Sequence, residues 1–212
     1  MEHQNLKLKV CGLRDTKNIK DIIDVKPDYM GFIFYKPSPR FVGEPLSVEL
    51  MNTIPSNIET VGVFVNEDIG NIITIATKYR LNLVQLHGDE SPGYCKKLQE
   101  KGFRIIKAFR IFSKKDMEQI NTYKPHIDYA LLDSSGINYG GNGVKFDWAL
   151  LDLYQSDVPF FLSGGIGLED YLKVASIKHN KFHAIDVNSG FEIEPGHKDI
   201  LKLITLKDKM IC

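Results

Sequence analysis

Cysteine is scarce in this chain: Cys11, Cys95 and Cys212 are three in 212 residues, an odd count with no CxxC pair. That excludes a disulfide framework and points to a reducing cytoplasm. Neither sign of charge is in excess, with 27 Lys and Arg against 27 Asp and Glu. There is no basic stripe for nucleic acid, no acidic tail and no polybasic segment for a membrane surface. No apolar run approaches the roughly 20 residues that span a bilayer, and the opening MEHQNLKLKV has no signal-peptide core. His179 and His183 stand four apart but lack the carboxylate of an HExxH pattern, so no metal site is expected. Gly140-Gly141-Asn142-Gly143 has neither GxGxxG spacing nor a GK[ST], which rules out a dinucleotide or P-loop reading.

What the chain does have is a recurring short apolar run. Leu6–Cys11, Tyr29–Phe34, Thr60–Val65, Leu83–His87, Arg104–Phe109, Tyr129–Asp133, Phe160–Ser163 and Ala184–Asn188 make eight. Most are apolar on both faces, as parallel strands covered on both sides should be. Helical pattern lies between them. Asn66 is the expected cap of a helix with Ile69, Ile72, Ile73, Ala76 and Tyr79 on one face. Ser113 is expected to cap Lys114–Tyr123, and Ser91-Pro92 to open another helix with Pro at its first position. The last helix is read as Lys198–Met210, packing Ile200, Leu201, Leu203, Ile204 and Leu206. Eight strands alternating with helices predict an α/β chain folded as a single-domain (β/α)8 TIM barrel over residues 1–212, with no interdomain linker. A doubly wound open sheet is the alternative, because strand count alone does not decide between them.

In a barrel, function gathers at the C-terminal ends of the strands. The unusual residues fall there: Cys11-Gly12, Ser38-Pro39-Arg40, His87-Gly88-Asp89, Asp133, Gly164-Gly165 and Asp186 through Gly190. A thiol and a carboxyl closing two different strands point to proton shuttling without a metal or redox cofactor. From the residues alone, Cys11 is either that base or a small core residue, and Asp133 either that acid or a loop-turn residue helped by Ser134 and Ser135. Arg40 is either an anion's partner or a solvated arginine, and each glycine pair is either a phosphate cradle or a tight turn.

Ten motifs in order narrow this. KVCGLRD, GFIFYKPSPR, VGVFVN, VQLHGDE, IKAFR, LLDSS, GGNGVKFDW, LSGGI, DVNSG and PGHKD run from Lys9 to Asp199. Together they resemble the phosphoribosylanthranilate isomerase family of tryptophan biosynthesis. The resemblance implies a cofactor-free isomerase performing an Amadori rearrangement on N-(5-phosphoribosyl)anthranilate. It makes Asp133 the general acid and Cys11 the general base, with the thiol drawn down and the carboxyl drawn up from their ordinary ranges. It makes Arg40 the fork for the anthranilate carboxylate. Gly164, Gly165, Asn188 and Ser189 would form the phosphate site, a short helix at Ser189–Glu192 supplying one wall. Asp186 is read as a ribose-hydroxyl or loop-orienting residue, Gly141 as part of a loop closing over substrate, and His87 as a pocket wall or a loop hydrogen bond. Three positions depart from the family's usual pattern: Asn142 stands for Thr, Asn188 for Ser, and Ser163 for Ala. Asn188 is the one expected to alter a phosphate contact. The partner expected is a phosphorylated small molecule, with neither nucleic acid nor membrane, and the chain is expected to be a monomer because no exposed apolar stripe stands out. Indole-glycerol-phosphate synthase needs a lysine after an early strand and a histidine-pathway isomerase an Asp at the end of strand 1, where this chain has Cys11. A barrel that only binds a phosphorylated ligand would have no reason to hold Cys11, Asp133 and Arg40 together.

Overall fold

Eight short strands run parallel and close on themselves. β1 (Lys7–Val10), β2 (Tyr29–Ile33), β3 (Glu59–Phe64), β4 (Leu83–Leu86), β5 (Arg104–Arg110), β6 (Tyr129–Asp133), β7 (Phe160–Leu162) and β8 (Phe182–Val187) each pair with the next, and β8 returns to β1. The computed structural model describes residues 6–43, 46–133 and 148–211. The expected Gly140–Gly143 loop, with Gly141 and Asn142, lies outside those residues, as do Ser134, Ser135 and Cys212. The eight runs read from the sequence are these eight strands, and the four-residue register between β1 and β8 excludes the open sheet.

The helices are α1 (Thr16–Val25), α2 (Val48–Met51), α3 (Ile69–Lys78), α4 (Pro92–Gln99), α5 (Lys114–Tyr123), α6 (Tyr171–Ala175) and α7 (Ile200–Ile211). None of them is long and apolar enough to cross a membrane. Ser91 caps α4 as expected, its Oγ accepting from the Tyr94 N–H at 3.2 Å. Ser113 holds the cap position of α5, but its hydroxyl donates to Asp116 and takes no helix N–H. At α3 the expected cap is displaced: Asp68, not Asn66, accepts from the N–H groups of Gly70 and Asn71. Asn66 adopts a left-handed φ of 49° and ties two loops instead, accepting from the Asp89 N–H at 2.7 Å.

Alternation along each strand separates two cores. Tyr29, Val61, Leu83, Ile106, Leu131 and Phe161 point inward and fill the barrel, while their neighbours pack outward beneath the helices. The N-terminal end of the barrel is plugged by polar side chains. Arg104 bonds Glu59 at 2.5 Å and the Tyr129 hydroxyl at 3.1 Å, and the Tyr29 hydroxyl meets His183 Nε2 at 2.7 Å. His179 turns elsewhere, to the Tyr154 carbonyl.

Burial, with Lys7 and Arg104 nearby, pulls the His183 imidazole down to about 4. An imidazole that is neutral when folded but takes a proton near 6.5 when unfolded withdraws stability as pH falls. The melting temperature is therefore expected to drop from about pH 6.5 to about 4. His183→Gln, which keeps a partner for Tyr29 but does not titrate, should flatten that slope in calorimetry from pH 7 to 5; an unchanged slope would assign it to other groups.

The short helix expected at Ser189–Glu192 follows β8, one residue shorter, and an unexpected pair of strands comes after it. Residues Ser189–Phe191 form one 3-10 turn, and the chain then makes a small antiparallel pair, β9 (Glu192–Glu194) with β10 (His197–Lys198). Lys198 is thus strand rather than the start of the last helix, and Asn18 of α1 grips it from both sides, donating to its carbonyl and accepting its N–H. In α7 only Leu203 and Leu206 are fully buried; Leu201 is 77% exposed, and Ile204 and Ile211 share that outer side. Leu201 and Ile204 were expected to be packed.

Candidate active site

Cys11 stands one residue beyond β1, its N–H given to the Val187 carbonyl at 2.9 Å, so it continues the strand's alternation. Lys9 and Cys11 therefore share the inward face. The thiol sits against β2 where only glycine fits, since a Cβ on Gly31 would lie 2.8 Å from its Sγ. Lys9 is wholly buried and pairs with Asp186, its register neighbour on β8, at 2.8 Å. The other Asp186 oxygen accepts from Ser163 at 3.3 Å, a bond that alanine at this position would lack.

Burial works against the Lys9 charge, but Asp186 and the Cys11 sulfur outweigh it and hold the ammonium above its usual range. For Cys11 the balance runs the other way. Burial pushes the thiol up, the Lys9 ammonium pulls it down, Asp186 adds to burial and Lys198 opposes it; the net is upward. The expected downward shift is therefore absent, because desolvation exceeds the pull of the two ammonium groups.

Asp133 ends β6 and is buried. His87, one residue beyond β4, reaches it with Nε2 at 3.2 Å, while Gln85 from the same strand meets the other ring nitrogen at 2.9 Å. With the Gln85 amide nitrogen facing it, Nδ1 accepts, and Nε2 carries the proton toward Asp133, an assignment drawn from the network. His87 was expected to be a wall or a loop contact; here it contacts the candidate acid. A cavity of about 330 Å³ opens beside the pair, lined by His87, Lys107, Phe109, Arg110, Tyr123 and Asp133. Lys107 is held in its floor by Glu90 at 3.2 Å and by the carbonyls of Gly88 and Ala108.

Arg40 leaves the loop after β2, where its N–H bonds the Ser38 hydroxyl. One edge of its guanidinium is occupied: Nε and Nη2 donate to Glu192 at 2.7–3.0 Å. Asn188 directs its side-chain oxygen not outward but at the Lys198 ammonium, at 2.7 Å. Gly164 and Gly165 take φ of 100° and 65°, a left-handed pair that turns the chain directly after β7. Ser189 opens the 3-10 turn after β8, where Gly190 packs on the Ile166 carbonyl of the loop after β7.

The candidate residues thus fall into adjoining groups at one end of the barrel: Cys11 with Asp186, Asp133 with His87, Arg40 with Asn188, and the two glycines beside Ser189. Sequence reading passed over Lys9, Glu192 and Lys198. A lysine two residues before the thiol, inside an otherwise apolar strand, was the available signal for the first. The other two gave no usable signal: Glu192 meets Arg40 from 152 positions away, and Lys198, though only six residues from Glu192, was read as the start of the last helix.

Known proteins share this fold and much of this sequence. The family model described as N-(5'-phosphoribosyl)anthranilate (PRA) isomerase matches residues 8–209. The N-(5'-phosphoribosyl)anthranilate isomerase of Parabacteroides distasonis is 44% identical over 92% of this chain and 89% of its own length. The crystal structure of phosphoribosyl anthranilate isomerase from Thermotoga maritima superposes with a TM-score of 0.82 at 32% identity, covering 97% of this chain and 98% of that one. A further isomerase structure, in complex with reduced 1-(o-carboxyphenylamino)-1-deoxyribulose 5-phosphate, superposes at 0.79 with 29% identity, covering 97% and 98%. With a closed eight-stranded barrel and a family match over nearly its whole length, the chain belongs to the phosphoribosylanthranilate isomerase family of tryptophan biosynthesis.

Proposed function

We propose that this isomerase works by general acid and general base catalysis, with Asp133 as the acid and Cys11 as the base. The observation that carries the assignment is the placement of a buried thiol and a buried carboxyl at the ends of β1 and β6, on the barrel end where the strands open. Asp133, oriented by His87, gives its proton to the ribose ring oxygen. The bond from that oxygen to carbon 1 breaks as the arylamine nitrogen pushes its lone pair in, leaving an iminium. Cys11, as thiolate, removes the proton from carbon 2, and the electron pair neutralises the iminium to give an enolamine. The enol hydroxyl then loses its proton, carbon 1 gains one, and the product is 1-(o-carboxyphenylamino)-1-deoxyribulose 5-phosphate. Carbon 2 is oxidised by carbon 1, so the exchange balances within the substrate.

The upward push on the resting thiol fits this order of events. The iminium places a new positive charge beside Cys11 when a base is needed, adding to Lys9 and Lys198. Arg40 takes the anthranilate carboxylate. Gly164 and Gly165 face the phosphate from the β7 loop, with Ser189 and the Asn188 backbone on the β8 side. Asp186, already bound to Lys9 and Ser163, retains lone pairs for a ribose hydroxyl. Cys11 and Cys95 are both free thiols, which suits a reducing cytoplasm. N-(5-phosphoribosyl)anthranilate, made by condensing anthranilate with ribose 5-phosphate, tests the reading. Loss of this substrate's fluorescence on adding the protein, persisting in EDTA, is expected; a folded protein that leaves the fluorescence unchanged would overturn it.

A further inference from the structure

A buried polar cluster at this end of the barrel contains neither the acid nor the base. It joins Arg40 after β2, Asn188 after β8, Glu192 at the start of β9 and Lys198 in β10. The Glu192 carboxylate, 5% exposed, takes Nε and Nη2 of Arg40, the Lys198 ammonium at 2.6 Å and the Gly196 N–H at 3.1 Å. Lys198 is buried and reaches Asn188 by its side-chain oxygen at 2.7 Å and its carbonyl at 3.5 Å. The Arg40 stem and the Asn188 amide both lie on Gly12, where a Cβ would come within 2.8 Å of one and 2.7 Å of the other. Gly12 has φ 75° and follows Cys11 directly, so the cluster borders the base.

Two consequences follow from charge and shape. The Nε–Nη2 edge of Arg40 is fixed, so a long side chain that would otherwise sample many rotamers presents its remaining edge in one direction. The cluster holds two cations and one carboxylate. Arg40 and Glu192 alone would form a neutral pair, and an arriving anion would meet the Glu192 charge as much as the arginine. Lys198 offsets Glu192 and leaves a surplus positive charge with little water to screen it.

We propose that Glu192 and Lys198 are positioning residues that fix and charge-balance Arg40 for the substrate's aryl carboxylate, so that selectivity for a carboxylated arylamine rests on two side chains that do not touch it. This rests on Arg40 as the carboxylate's partner, and the test separates the two. N-(5-phosphoribosyl)anthranilate and N-(5-phosphoribosyl)aniline, each made by condensing the amine with ribose 5-phosphate, are compared by the ratio of their kcat/KM. Arg40→Met is expected to collapse that ratio. Glu192→Gln and Lys198→Met should each lower it about tenfold, the scale of one charge-assisted hydrogen bond, mainly through KM for the carboxylated substrate. Glu192→Gln should lower it no further in an Arg40→Met background. If Lys198→Met does not fold, Lys198→Arg, which retains the charge, is expected to keep the ratio near wild type, and Glu192→Gln still decides. Equal losses on both substrates in the Glu192 variant would make the cluster merely structural and overturn the proposal. Arg40→Met moving the ratio while Glu192→Gln does not would overturn this inference alone; Arg40→Met leaving it unmoved would remove the carboxylate reading as well.

Discussion

Cys11→Ser and Asp133→Asn are each expected to lower kcat by about a thousandfold, within the range general acid–base catalysis supplies, while KM moves only a few-fold. Serine nearly matches the thiol in volume, so the fit against Gly31 is kept, but its hydroxyl ionises far less readily and makes a poor base. Asparagine keeps an oxygen for His87 Nε2 to donate to and loses the transferable proton. Steady-state turnover gives kcat, and quenching of substrate fluorescence gives binding. Tight binding with lost turnover supports the roles. Wild-type kcat in both variants would sink them.

Lys9→Met should have the second largest effect, on two observables. It leaves the buried Asp186 carboxylate without its ammonium, and breaking a buried pair from one side typically costs about 3–5 kcal/mol. It also removes the strongest pull holding the Cys11 thiol down. The pH midpoint for alkylation of Cys11 by iodoacetamide should then rise, and the low-pH limb of kcat/KM should move with it. The stability effect has a defined pH window. The Lys9 ammonium sits above its usual range in the fold, so its contribution is complete below the ordinary lysine value near 10.4 and fades as pH climbs through the raised one. Wild type should lose that stability in alkali, and Lys9→Met should already lack it at pH 8. An unmoved alkylation midpoint would leave Lys9 a structural residue only.

The contrast between what the sequence declared and what it hid follows from range. All eight strands were legible, because each is a local run of apolar and β-branched residues bounded by turn formers. Cys11 and Asp133 were legible because they break such runs at one end. The cap of α3 was misplaced by two residues: Asn66 and Asp68 are both good caps, and the contact from the Asp89 N–H that draws Asn66 away comes from the next loop. The β9–β10 pair was invisible because it is short and set by Asn18, 180 positions earlier. The direction of the Cys11 shift was missed for a related reason. It was inferred from what a base needs, and a sequence does not give the depth of burial, which here decides the direction.

The pairing of Lys9 with Asp186 spans 177 positions, which gives the thiol a history during synthesis. Cys11 leaves the ribosome well before β8, the strand that shields it, has been made. At about 5–20 residues per second the delay is on the order of ten to thirty seconds. Through that interval the nascent chain carries a thiol without its barrel, more open to oxidants and electrophiles than in the finished fold, where it is buried. A reducing environment during translation would therefore protect this thiol before the fold can.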